Sequence, residues 1–289
     1  MASSPAHRLG QFIGDFLENT MIRYCSNISR QFGMYLDYKH FRAARNFQSE
    51  VRWVDCNNNT HKLDIVIEKD GSEECIGKPR AFIEIAWRRY TKHSKNKAQE
   101  ISAAIKPLVA QYYEQAPFYG VVLAGEFTQN SITQLLSEGF KVLYFSIDYI
   151  ESAFRVHHLN IHWDEDTTED NLIQIVSALE QLSESELNLI GDTLINSCQS
   201  EWQDFESSLR LSLERTIDYI YVTSTFGFTE SFTTVNDVCR YLATEKTKEV
   251  PPQVKFVGYM INIHYNTGES INMQFKDNQQ AIIWLNHLA

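Results

Sequence analysis

The sequence predicts an α/β chain in two parts, a mixed sheet flanked by helices and then a smaller α+β region. Three observations point there. Apolar residues recur first at helical and then at strand spacing, giving the order α-β-β-β-α-β-α-β over residues 8–147. Three sequential strands that can meander, followed by a crossover helix and further strands, build a sheet of mixed direction with helices on its faces. The charge also divides. Residues 1–150 hold 18 Lys+Arg and 16 Asp+Glu, a net of +2, while residues 151–289 hold 8 and 21, a net of −13.

The elements follow in order. Residues 8–34 read as a long helix, with Leu9, Phe12, Ile13, Phe16, Leu17, Met21, Tyr24 and Ile28 at three- and four-residue spacings. Residues 50–56 alternate like a strand, "NNNTH" is a turn, and residues 62–68 (KLDIVIE) form a second strand. On that strand Leu63, Ile65 and Ile67 share one face and Asp64 and Val66 the other. "KDGSEECIGKP" is a loop, and residues 80–88 (RAFIEIAWR) form the third strand. A helix starts near Ser94, and Pro107 inside its pattern should kink or divide it. "YGVVLAGE" and "KVLYFSI" are short apolar runs of the kind that form buried strands, separated by a helix closed by Gly139.

The later part differs. "WDEDTTEDN" reads as a linker or helix start. Residues 169–215 are largely helical, with Leu172, Ile175, Val176, Leu179, Leu182, Leu187, Leu189, Ile190, Leu194 and Ile195 as core. Strands are expected near 216–223 and 228–234, then a helix at 235–246, a linker "KEVPPQV", a hairpin turning at Asn266-Thr267-Gly268 and a helix at 277–288. The two parts are expected to be domains, 1–160 and an acidic α+β accessory domain 161–289, the latter serving dimerisation, sensing or docking of a protein partner.

Composition narrows the class. No run of about 18 apolar residues is present, so no membrane-spanning helix is expected, and the N-terminus lacks the apolar centre of a signal peptide. The five cysteines are scattered, without a CxxC pair, and read as reduced thiols of a cytoplasmic protein without a zinc site. His157, His158 and His162 fit a surface strand or turn better than a metal cluster.

The chemistry concentrates on Asp64 and Glu84. If the second and third strands are antiparallel neighbours, both carboxylates project from one face near one end. Two carboxylates so placed repel, and a divalent cation between them relieves the repulsion. Directly after comes a burst of positive charge, Arg88, Arg89, Lys92, His93, Lys95 and Lys97, running into a helix N-terminus. Such a segment binds phosphates without reading sequence.

"LDIVIE" followed by "AFIEIA", with about 20 residues between the acids, resembles the PD-(D/E)xK nuclease superfamily. The order helix, three-strand meander, helix, strand is also that of the superfamily's core. The resemblance implies a restriction-endonuclease-like fold and a metal-dependent deoxyribonuclease. It implies Mg2+, with Mn2+ able to substitute, held by Asp64, Glu84 and the main-chain carbonyl of Ile85. Glu18 matches the glutamate that many members place on the first helix, and Gln99 the glutamine on the helix after the third strand. Arg88, Arg89, Lys92, Lys95 and Lys97 would contact nucleic acid.

The departure is Ala86, where the pattern has lysine. A lysine there would share the face of Glu84, orient the attacking water and neutralise a phosphate. Three explanations stand. The chain is an inactivated Lys-to-Ala variant, which is preferred; or the role has moved to Arg88, Lys92 or Lys95; or the site is naturally dead. The first hypothesis is therefore a Mg2+-dependent DNA endonuclease of restriction or anti-phage defence, acting on double-stranded DNA as a homodimer or higher oligomer. The competing one is a naturally inactive, nuclease-like DNA-binding or scaffold subunit of a defence complex.

Overall fold

The computed structural model describes residues 4–244 and 257–288. The sequence linker "KEVPPQV" lies outside the described residues. The chain divides into two compact units, Met1–Leu213 and Glu214–Ala289. The boundary falls after Leu213, not at 160/161. The reason is packing: the helices of residues 169–213 bury Leu172, Val176, Leu194, Trp202 and Phe205 in the same apolar cluster as the first helix and the sheet.

Ser4 caps the first helix, α1 (Pro5–Gln31), by accepting a hydrogen bond from the His7 N–H, and Pro5 suits the first turn. A left-handed glycine, Gly33 (φ 64°), turns the chain into β1 (Tyr35–Tyr38). Next come β2 (Val51–Val54), β3 (Thr60–Leu63), β4 (Ile65–Lys69) and β5 (Lys78–Arg88). After them follow α2 (Ser94–Gln111), β6 (Phe118–Gly125), α3 (Gln129–Ser137), β7 (Lys141–Ser146) and α4 (Ile147–Val156). Helices α5 (Glu169–Leu179), α6 (Glu184–Ser197) and α7 (Gln199–Leu213) complete the unit.

This is mixed α/β architecture. Five strands form one sheet in the order β1-β4-β5-β6-β7. β1, β4 and β5 pair antiparallel; β5, β6 and β7 pair parallel. The parallel pairs need crossovers, and α2 and α3 supply them. One face is covered by α1, α4 and α7, with α5 and α6 packed outside α1 and α4. The other is covered by α2, α3 and the β2–β3 hairpin, which bury Val51, Trp53, Phe82, Ala98, Ile101, Ile105 and Leu135.

Several expectations need correction. The strand at 50–56 belongs to a separate two-stranded hairpin; the sheet's first strand is β1, a four-residue segment. The expected strand 62–68 is two strands broken at Asp64. Pro107 neither ends nor divides α2, which runs from Ser94 to Gln111 with the flanking Ile105 and Leu108 fully buried. Helix α4 was not expected at all. Leu189, expected in the core, is 55% exposed.

The second unit is an antiparallel sheet in the order β11-β10-β8-β9, from β8 (Ile217–Ser224), β9 (Thr229–Phe232), β10 (Tyr259–Tyr265) and β11 (Ser270–Phe275). Helices α8 (Val235–Thr244) and α9 (Asn278–Leu288) share its apolar cluster. The hairpin turn sits at the expected place, with Gly268 at φ 84°. This unit is not the strongly acidic part. Residues 214–289 hold 6 Lys+Arg and 8 Asp+Glu, a net of −2, whereas residues 151–213 hold 2 and 13, a net of −11. The acidic excess therefore sits on α4 to α7, within the first unit. No helix of the described residues is long and apolar enough to cross a membrane.

Candidate active site

Asp64 lies between β3 and β4, one residue before Ile65, which pairs with Ile83 of β5. Continuing that antiparallel register sets Asp64 opposite Glu84. Two side-chain hydrogen bonds fix the pair: the Asp64 N–H donates to Glu84 Oε1 at 3.3 Å, and the Ile85 N–H donates to Asp64 Oδ2 at 2.7 Å. Each carboxylate accepts from main chain on the neighbouring segment, in a place a strand carbonyl would take, and this accounts for the break at Asp64. The expected antiparallel pairing of the two acidic strands is what the structure has.

Glu84 is buried at 8% exposure. By alternation it shares a face with Phe82 and Ala86, both in the apolar cluster beneath α2. Ala86 is 2% exposed in that cluster, with Ala98 and Ile101 of α2.

The electrostatics gather further groups. Burial raises the Glu84 pKa to about 8; the Asp64 and Glu18 carboxylates push it the same way, while Lys97 and the Asp64 N–H oppose. Burial also raises Asp64, against the Ile85 N–H and the charges of Lys97 and Lys39. Glu18 is raised by burial and then by Asp64, with Lys39 opposing. Glu18 on α1, Asp64 and Glu84 thus form one electrostatically connected group. Among the described residues neither Asp64 nor Glu84 has a cationic side chain within 4 Å. Nor do any three His, Cys, Asp or Glu side chains group closely enough to hold a metal ion.

The basic residues separate by role. Arg89 donates to the Trp163 carbonyl, and its guanidinium lies 4.9 Å from the Trp163 ring centroid, so it ties down the segment before α5. Arg88 donates to the Trp87 carbonyl at 2.9 Å. Lys92 and Lys95 are exposed around the start of α2. Gln99 is on the exposed side of α2, away from the buried stripe of Ser94, Ala98 and Ile101. Lys97 is partly buried, its side chain 24% exposed, with Nζ 3.6 Å from Glu100.

Lys39 is not among the residues the sequence singles out. It follows β1, and Tyr38 pairs with Ile65, so the register sets Lys39 beside Asp64. The signal lay in "YLDYK", a strand too short to stand out. The three histidines are not a cluster: His157 bonds Thr193 at 3.0 Å, His162 bonds Glu151 at 2.9 Å, and His158 holds a left-handed turn at φ 64°.

No family model and no curated protein matches the sequence. Among solved structures, the chain is similar to "Crystal Structure of Protein of Unknown Function AF1548", at 12% identity and a TM-score of 0.29, over 66% of this chain and 98% of that one. A likeness at that score carries no argument.

Proposed function

We propose that the chain is a metal-dependent deoxyribonuclease of the PD-(D/E)xK type, with a restriction-endonuclease-like first unit, working in restriction or anti-phage defence. The observation that carries this reading is the Asp64–Glu84 pair. Two acids, 20 positions apart in sequence, stand opposite each other where β4 begins beside β5, fixed by main-chain donors and, among the described residues, without a cationic side chain within 4 Å. A structural pair would have an arginine or lysine between its members. Here burial first, and then the neighbouring Asp64 carboxylate, push the Glu84 pKa up to about 8.

That arrangement fits a divalent cation. Asp64, Glu84 and the Ile85 carbonyl offer hard oxygen donors, and Mg2+ takes one or two carboxylates while keeping several waters. A bound cation would lower the pKa of a coordinated water and stabilise charge on the phosphate. The protein's own part is to hold the two carboxylates in register, to release the Glu84 proton on loading, and to seat the substrate backbone. Lys92 and Lys95 suit the seating of the backbone, because they are exposed and the first turn of α2 carries no acidic residue to repel a phosphate. Cutting both strands of a duplex needs two such sites, so a homodimer belongs to the proposal.

Ala86 is what favours the second reading, a nuclease-like DNA-binding subunit without activity. Supercoiled plasmid incubated with Mg2+ or Mn2+ tests the two. Nicking or linearisation that disappears in Glu84→Gln supports the nuclease. DNA binding without cleavage, in this chain and in Ala86→Lys alike, supports the inactive subunit.

A further inference from the structure

We infer that Lys97, in the first turn of α2, supplies to the carboxylate pair the positive charge that the motif lysine would supply from position 86, so the site is complete with alanine there. This rests on the nuclease reading and deepens it. The sequence alone pointed to Arg88, Lys92 or Lys95 as the places where the role could have moved, or to a chain disabled by substitution.

The placement of the cations decides among these. Helix α2 buries Ser94, Ala98, Ile101, Ile105 and Leu108. Lys97 stands three residues after Ser94 and four before Ile101, on the flank of that buried stripe. Lys95 points to the exposed side. Ala98 and Ile101 cover the sheet face that carries Ala86, the face Glu84 shares by alternation. Helical side chains lean toward the helix N-terminus, which here follows directly on the strand carrying Glu84. Lys97 is accordingly the lysine on the sheet-facing side of the start of α2, its side chain 24% exposed, whereas Lys92 and Lys95 are exposed. Lys39 lies beside Asp64 by the register of β1 and β4, on the far side from α2, and Arg88 and Arg89 are engaged by main-chain carbonyls. The single ionic partner of Lys97 among the described residues is Glu100 at 3.6 Å, a largely exposed group that leaves the ammonium available.

Ala86 complements this. It is part of a closed apolar cluster with Ala98 and Ile101, so a small side chain at 86 lets α2 sit close and bring Lys97 over the site. The ammonium would orient the attacking water or neutralise the scissile phosphate.

The experiment is a cleavage time course on plasmid DNA with Mg2+, paired with fluorescence anisotropy of a labelled duplex in Ca2+. It uses the parent chain, Lys97→Ala, Lys97→Gln, Lys97→Arg, Lys39→Ala, Ala86→Lys and Glu84→Gln. The parent is expected to cut. Lys97→Ala and Lys97→Gln should lose about 100-fold or more in rate while binding the duplex within about threefold of the parent. Lys97→Arg should keep part of the rate and Lys39→Ala most of it. Far-ultraviolet circular dichroism and melting temperatures check that the glutamine variant, closest in shape, is folded. Lys97→Gln cutting at the parental rate overturns the inference and leaves the nuclease standing. An inert parent beside an active Ala86→Lys does the same. If neither cuts, or Glu84→Gln cuts like the parent, the nuclease reading falls and the inference with it.

Discussion

Two pairs of carboxylates lie along the same sheet, one wholly buried and one joining buried Glu84 to the partly exposed Asp64, and they are treated in opposite ways. Asp37 and Glu68 are closed around arginines. Arg42, fully buried, donates to both Glu68 oxygens at 2.8 and 3.0 Å and lies 2.9 Å from Asp37, while Arg45 reaches Asp37 at 3.2 Å. Arg42 also bonds the carbonyls of Ser72 and Cys75, which pins the loop between β4 and β5. Farther along the same sheet, Asp64 and Glu84 accept from main-chain donors and, among the described residues, have no cationic side chain within 4 Å. The first arrangement uses every charge internally. The second has no ion-pair partner of its own among the described residues and lies at the sheet's end, where the strand breaks at Asp64. One pair holds the fold; the other is built for something that arrives.

The contrast can be broken at either pair. The largest effect on stability should come from Arg42→Ala, which takes the ion-pair partner from buried Glu68 and leaves buried Asp37 with Arg45 alone. It should cost about 3–5 kcal/mol, read by urea unfolding. If it unfolds as the parent does, the first pair is not structural.

Glu84→Gln should behave in the opposite way. The folded pKa of Glu84 is raised to about 8, above an unfolded value of about 4.3. The folded state therefore holds this proton more tightly. The stabilisation is complete below the unfolded pKa and is lost as pH rises through about 8. A glutamine at this position carries no such loss. The variant should match the parent near pH 4 and exceed it by about 1–4 kcal/mol at pH 8. Equal pH profiles for the two proteins would remove the claim that burial holds the Glu84 pKa up near 8.

Smaller still is the response to cation. At pH 8, Mg2+ at ten times its dissociation constant should stabilise the parent by about 1.4 kcal/mol, seen as a rise in melting temperature absent from Asp64→Asn. The smallest effects belong to the exposed residues. Lys95→Ala and Gln99→Ala should change stability by less than about 0.5 kcal/mol. Lys95→Ala should also lower the salt slope of DNA binding by about one unit, and a slope equal to the parent's would remove Lys95 from the phosphate contacts.

The acidic pair is legible in the sequence because a lone glutamate among Phe82, Ile83 and Ile85 demands an explanation, and the alternation of "LDIVIE" puts Asp64 off the apolar face. The break at Asp64 is not legible there, because it comes from side-chain hydrogen bonds across strands and not from local propensity. The first strand is hard to place because β1 is four residues long and contains Asp37, whose burial depends on Arg42. Charge alone assigns the acidic helices of residues 169–213 to a separate domain, since charge marks surfaces and not packing; their apolar stripes lie on α1, α4 and the sheet. In the sequence Lys97 is one of several phosphate contacts, and only its side of α2 sets it apart from Lys95.

The central claim is that Asp64 and Glu84 form the cation site. Isothermal calorimetry of Mn2+ binding at pH 7, repeated in buffers of different ionisation enthalpy, measures both the metal and the protons it displaces. With the Glu84 pKa at about 8, that group is mostly protonated at pH 7, so binding should release close to one proton, and Glu84→Gln should abolish both binding and release. Mn2+ that fails to bind the parent, or that binds the parent and Glu84→Gln alike, would contradict the account.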